Sequence, residues 1–184
     1  HFILGFRADP RGYKGRFAQS VLTSILGGGM SSRLFLEVRE RRGLAYAVKT
    51  HIERYQDVGY IGTYVGADVK RVEEAIKVVL DEHYRLRDGI SEITPTEIKK
   101  AKEYIKGHSA LALEDTKEVN GFFAEQELFL GKILSPEEIF KEIDKVKVED
   151  VLREAKRVFV AKRLNLGVIG PYKDSYRFDK LLKA

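Results

Sequence analysis

The chain has 184 residues, 43% of them hydrophobic, enough to bury one domain-sized core and too apolar for wholesale disorder. Its net charge of +5 is spread over helical stretches such as KRVEEAIKVVLDEHYRLRD, where both signs interleave, so a nucleic-acid stripe is excluded in favour of a solvated face. There is no cysteine, hence no disulfide framework or thiolate metal site, and no apolar run approaches the ~18 residues of a membrane span.

Residues 1–7, which carry Phe2, Ile3, Leu4 and Phe6, read as a strand, and ADPRGYKG as a loop. From Arg16 to Leu26, Phe17, Val21 and Ile25 recur every fourth residue, which predicts an amphipathic helix stopped by Gly27. Ser31 or Ser32 then caps a second helix with Leu34, Phe35 and Val38 on its buried face, ended by Gly43. LAYAVKTHIE and VGYIGTYVG, separated by RYQD, predict a hairpin. Asp68 caps a long helix striped by Val69, Val72, Ile76, Val79 and Leu80, which ends at RDG.

TPTEIKK starts another helix, with Thr94 as cap, Pro95 in the first turn and Glu97 three residues on. Its stripe of Ile98, Ala101, Ile105, Leu111 and Ala112 predicts one helix to about Phe129, bent at Gly107 and Gly121. Ser135 opens a short helix, a further one covers Val148 to Phe159, RLNLGVIG is a closing strand, and YRFDKLLKA ends in a helical turn or two. The order predicts an α+β fold: a single domain over 1–184, with an antiparallel or mixed sheet covered by helices mostly on one face.

The run GGGMSSR, residues 27–33, invites a phosphate-binding reading, but it follows a helix and no Lys-Ser or Lys-Thr closes it. The dinucleotide pattern fails likewise, since it needs a strand first. Three readings stand: a helix junction needing left-handed backbone, an anion site at the second helix's N-terminus, and exposed amides open to another backbone. Of the four histidines, His1, His51, His83 and His108, no two are spaced i, i+3 or i, i+4, and His83 falls near an apolar stripe as a core-edge residue. Arg39, near the end of the second helix, and Tyr46, third in the next strand, flank the corner at Gly43. Two converging donors of this kind suit a carbonyl that becomes an oxyanion. Equally, Arg39 suits a helix C-terminus and Tyr46 a strand.

The segment ILGGGMSSRLFLEVRERRGLAYAV, Ile25 to Val48, resembles the signature of the C-terminal domain of pitrilysin-type (inverzincin) zinc peptidases, a group that includes bacterial and archaeal processing proteases and the mitochondrial processing peptidase. The order of HFILGF, TPTEIKKAKEYIKG and LNLGVIGP extends the resemblance over nearly the whole chain. It implies paired homologous α+β domains closing on an extended, unstructured peptide. It implies zinc held by an inverted H-x-x-E-H motif on the other half, and no metal on this one. Arg39 and Tyr46 then match the pair that holds the scissile peptide, and Gly27, Gly28 and Gly29 approximate a substrate-binding glycine segment.

On this resemblance we expect the C-terminal, non-zinc half of a larger peptidase, truncated at its N-terminus, and inactive alone. The partner is a homologous zinc-bearing domain on the same chain or a separate subunit, with isolated copies self-associating as a further option. A non-catalytic scaffold or peptide-binding domain of the same fold is the alternative. The Lys- and Glu-rich surface resembles that of thermophile proteins. The cysteine-free composition points to the cytoplasm, with the periplasm as the alternative.

Overall fold

The structure is a computed structural model that describes residues 1–174 and 176–182. β1 (Phe2–Ala8) buries Phe2, Leu4, Phe6 and Ala8 and turns Ile3 and Arg7 outward, the two-residue period of a half-covered strand. α1 (Arg16–Gly27) follows, then a helix of π geometry (Phe35–Arg41), β2 (Ala45–Arg54) and β3 (Gly59–Ala67). α2 (Val72–Arg87), α3 (Pro95–Ala112), α4 (Thr116–Leu130), α5 (Pro136–Lys145) and α6 (Val148–Val158) precede β4 (Leu164–Val168) and α7 (Tyr176–Leu182).

The sheet order is β2-β3-β1-β4, and every neighbouring pair is antiparallel. The register sets Gly5 opposite both Gly62 and Asn165, and Thr50 opposite Thr63. Helices cover one face only: α1 packs on β2 and against α3 and α6, and α2 packs on α6. The core therefore lies between that face and the helices, built from Phe2, Leu4 and Phe6 of β1, Ile61 and Val65 of β3, and apolar residues of α1, α2 and α6. The other face, carrying Ile3, Gly5, Lys49, Tyr64 and Gly66, is covered by no helix among the described residues.

His83 is fully buried, not at the core edge. Its Nδ1 lies 2.7 Å from the Val79 carbonyl and its Nε2 3.2 Å from Thr63 Oγ1, which is 3.0 Å from Thr50 Oγ1. Since Nδ1–H must donate to the carbonyl, Nε2 accepts, and the threonine hydroxyls donate along one direction. The imidazole packs between Phe6 and Phe159, and this burial pushes its pKa down to about 4 against a smaller opposing effect of the Val79 bond.

Several helical expectations need correction. The second helix is π-helical over Phe35–Arg41, and neither Ser31 nor Ser32 caps it through its side chain; Ser32 Oγ is buried without a partner. The helix at Asp68 opens with a 3₁₀ turn over Val69–Arg71, although Asp68 does accept the Lys70 N–H at 2.8 Å. The long helix to Phe129 is two helices. Asp115 breaks it by accepting the N–H groups of Lys117 and Glu118, a cap that outweighs the continuing apolar pattern. Beyond Ile105 the predicted stripe is not buried, and Leu111 is 66% exposed. Thr94 and Ser135 cap as expected, the latter in a full capping box with Glu138. The closing segment is helical to Leu182; Lys183 and Ala184 lie outside the described residues.

Candidate functional site

The corner between the π-helix and β2 is built by anchoring. Leu34, Val38 and Leu44 are wholly buried, and the Leu44 N–H donates to Val38 O at 2.9 Å. Gly43, at φ +56°, lets the chain reverse there, a conformation that L side chains rarely adopt. Four arginines lie in this segment. Arg33 is locked to Glu97 through two guanidinium nitrogens at 2.6 and 2.8 Å. Arg41 and Arg42 both donate to Glu37 at 2.9 Å. Burial opposes the charge on Glu37, but these two donors outweigh it and hold its carboxyl below the usual range.

Arg39 differs. Its guanidinium stacks on the Phe35 ring at 4.8 Å and comes no nearer than 3.8 Å to the exposed Glu40 carboxylate. Among the described residues it is the one arginine of Arg33–Arg42 without a hydrogen-bonded carboxylate.

Tyr46 lies at an irregularity in β2. Ala45 pairs with Ala67 and Ala47 with Gly66, so Tyr46 is the extra residue of a bulge. Bulges re-aim a side chain, and here Tyr46 is 64% exposed beside the helix-free face. Gly66 makes this placement possible: a Cβ on it would stand 2.5 Å from Tyr46 Cζ. The Tyr46 hydroxyl is 3.5 Å from both His1 ring nitrogens, and His1 Nδ1 is 2.7 Å from the Tyr64 hydroxyl. Desolvation and the neighbouring Tyr46 push the Tyr64 phenol up. The meeting of His1 and Tyr64 with Tyr46 is not readable in the sequence, because only the strand register brings them together. Gly66 did leave a signal, a glycine inside a strand pattern. Arg39 and Tyr46 thus stand exposed on either side of one turn, and no hydrogen bond joins them among the described residues.

The glycine run serves close packing. None of Gly27, Gly28 and Gly29 has positive φ, which corrects the left-handed reading. Gly27 is buried at the end of α1, where a Cβ would lie 2.5 Å from the backbone nitrogen of Thr50. The backbone that approaches closely is the protein's own β2. Gly29 sits under the Tyr104 ring and edges a cavity of about 230 Å³ with Ser31, Ser32 and Thr94.

With the geometry in place, the comparisons define the class. The profile described as the peptidase M16 inactive domain matches residues 1–105, and the chain belongs to that family. An uncharacterised zinc protease of Streptomyces coelicolor is 39% identical over 176 residues, covering 95% of this chain and 37% of that protein. The Bacillus subtilis zinc protease YmxG is 36% identical over 160 residues, covering 86% of this chain and 38% of that protein. Among solved structures, a chain of Complex III2 from Candida albicans superposes with a TM-score of 0.83 at 24% identity, covering 98% of this chain and 46% of that one. A Helicobacter pylori protease superposes at 0.77 and 24% identity, covering 90% of this chain and 40% of that one. The chain spans about two fifths of the length of the curated relatives it matches.

The α+β fold and the kinship to zinc proteases expected from the sequence therefore hold. Zinc does not fit the described residues of this chain. Among the described residues no group of three His, Asp or Glu could hold a metal. His83 is enclosed with both ring nitrogens engaged, while His51 and His108 pack against Tyr60 and Tyr104.

Proposed function

We propose that this chain is the C-terminal, substrate-binding half of a zinc-dependent endopeptidase or oligopeptidase that hydrolyses extended peptides in a closed chamber. Zinc belongs to a homologous partner half, on the same polypeptide or a separate subunit. The contribution of this half is two hydrogen-bond donors, Arg39 and Tyr46. Arg39 brings a permanent charge with a forked set of N–H groups, and Tyr46 a neutral O–H. Both serve the scissile carbonyl oxygen as negative charge develops on it, where donors already in position act without reorganisation. Gly29, at the rim of its cavity, is the member of the glycine run that offers a peptide an approach.

The observation that carries this reading is the selective treatment of the arginines. Arg33 is held by Glu97, Arg41 and Arg42 share Glu37, and Arg39 is left without a hydrogen-bonded carboxylate across the Gly43 turn from the bulged, exposed Tyr46. The test is Arg39→Ala and Tyr46→Phe in the full-length protein, assayed on an unstructured peptide. Each substitution is expected to lower kcat on the order of 10²–10³-fold, with zinc content unchanged. Wild-type turnover in both variants would reject the assignment. A scaffold of the same fold would give no turnover in the parent protein either, so the same assay separates the two readings.

A further inference from the structure

At the far end of β2 from Tyr46, about 26 Å away at ~3.3 Å per residue, three arginines meet around a cavity of about 310 Å³. Arg11 comes from the β1–α1 loop, Arg16 from the start of α1, and Arg54 from the last position of β2. Arg11 pairs with Glu125 on α4. Arg16 and Arg54 have no carboxylate within ion-pair distance among the described residues. Arg54 Nη2 donates to the Arg16 carbonyl at 2.6 Å and to Ser20 Oγ at 3.1 Å, both neutral acceptors. The Arg16 guanidinium rests on the Phe17 ring at 4.4 Å. The Nε atoms of Arg11 and Arg54 are buried with no partner.

The neighbouring acids supply little of the missing charge, and Glu142 acts on Arg16 only from beyond ion-pair distance. Glu53 also lines the cavity, but strand alternation turns its side chain to the opposite face, where it acts on Tyr60. Asp9 and Glu154 are held by Arg157 and Gln19. Burial, followed by repulsion from Arg16 and Arg11, pushes Arg54 down to about 10, with weaker opposition from Asp9 and Glu154. Desolvated cations without an anion are costly. The rest of the wall is largely apolar, with Phe17, Ile52, Phe122, Leu130 and Leu134; its polar members are Glu125, taken up by Arg11, and Gln126, whose amide is bonded to the Phe122 and Leu134 backbone.

We propose that this cavity between α1, β2 and α4 binds a small organic anion, with a carboxylate or phosphate head on Arg11, Arg16 and Arg54 and an apolar body against the phenylalanine and leucine wall. The head group faces guanidinium groups that, apart from Arg11 on Glu125, meet only neutral acceptors within the protein. The volume lies at the lower end of small-molecule sites, which limits the body to roughly the size of a short acyl chain.

The test is calorimetric titration of the full-length protein with octanoate and octyl phosphate at matched ionic strength, using acetate and octanol as controls. Saturable binding of at least one octyl anion is expected, at least 10-fold tighter than acetate, with no binding of octanol. The tighter of the two anions identifies the head group. Because Arg54 is enclosed and its loss risks misfolding, Arg16→Gln and Arg11→Gln are the variants. Each is expected to weaken binding at least 10-fold with the melting temperature preserved. The proposal is overturned if neither octyl anion saturates, if octanol binds as well as the anions, or if both folded variants keep wild-type affinity.

Discussion

Gly27 and Gly29 are adjacent but one to each other in sequence, yet their environments differ in a way that a substitution can read. A methyl on Gly27 meets the Thr50 backbone, which has nowhere to go, whereas a methyl on Gly29 meets the ring of Tyr104, which is 36% exposed and can swing aside. Gly27→Ala is expected to cost on the order of 1–3 kcal/mol in urea unfolding, and Gly29→Ala well under half of that. If Gly29 contacts substrate as proposed, Gly29→Ala raises KM for peptide while stability is nearly kept. At this scale the sequence was partly legible. The spacing of Arg39 and Tyr46 stood out through resemblance, because both belong to one continuous motif. What made Arg39 available was not legible: it depends on Glu37 and Glu97 engaging the other three arginines, and Glu97 is 64 positions from Arg33. The threefold Arg11–Arg16–Arg54 cluster was missed for the same reason, since β2 must fold back over α1 before Arg54 meets the other two.

At the level of elements, local signals succeeded where a side chain could act on its own turn. Thr94, Ser135 and Asp68 all cap as their sequences suggest, because each bond spans three residues or fewer. Asp115 obeyed the same rule but was hidden inside an apolar run that reads as one helix. Asp115→Ala is expected to lose about 1 kcal/mol, measured by denaturant titration, with helix content falling at the α3–α4 joint. Ser32 offers the contrast. Its hydroxyl is buried without a partner, so Ser32→Ala is expected to leave stability unchanged or slightly raised, since a desolvated polar atom is removed and no bond is lost. The π-helix was beyond the reach of periodicity. Leu34, Val38 and the following turn fit an ordinary amphipathic stripe, and the wider winding ends where the Leu44 N–H donates to Val38 O.

For the whole molecule, the one-sided architecture was the most legible feature, because strand alternation and helical stripes each name the face they bury. The sheet order was not, since it requires β1 to lie between β3 and β4, partners far along the chain. The global stability should carry the signature of His83. Its folded pKa of about 4 lies below the ordinary 6.5, so the neutral form is favoured in the folded state. The resulting stability is complete above pH 6.5 and is lost as pH falls toward 4, by on the order of 3 kcal/mol. His83→Leu is expected to be less stable at pH 7, where it removes the ring acceptor of the Thr63 hydroxyl and the bond to Val79 O, but to lose most of this slope between pH 6.5 and 4.5. A His83→Leu curve parallel to that of the parent would show that another group governs the acid response.

The position of β2 at the sheet margin has a kinetic corollary. Amides of β1 and β3 are flanked by partner strands on both sides, so their deuterium uptake should wait for global opening. Every second amide of β2 looks away from β3 and should label within the mobile fraction of the protein. A peptide laid along that margin would slow only the alternate set, giving a comb of protected and unprotected sites from Ala47 to Arg54, a footprint by which occupancy can be mapped even when no bond is cut.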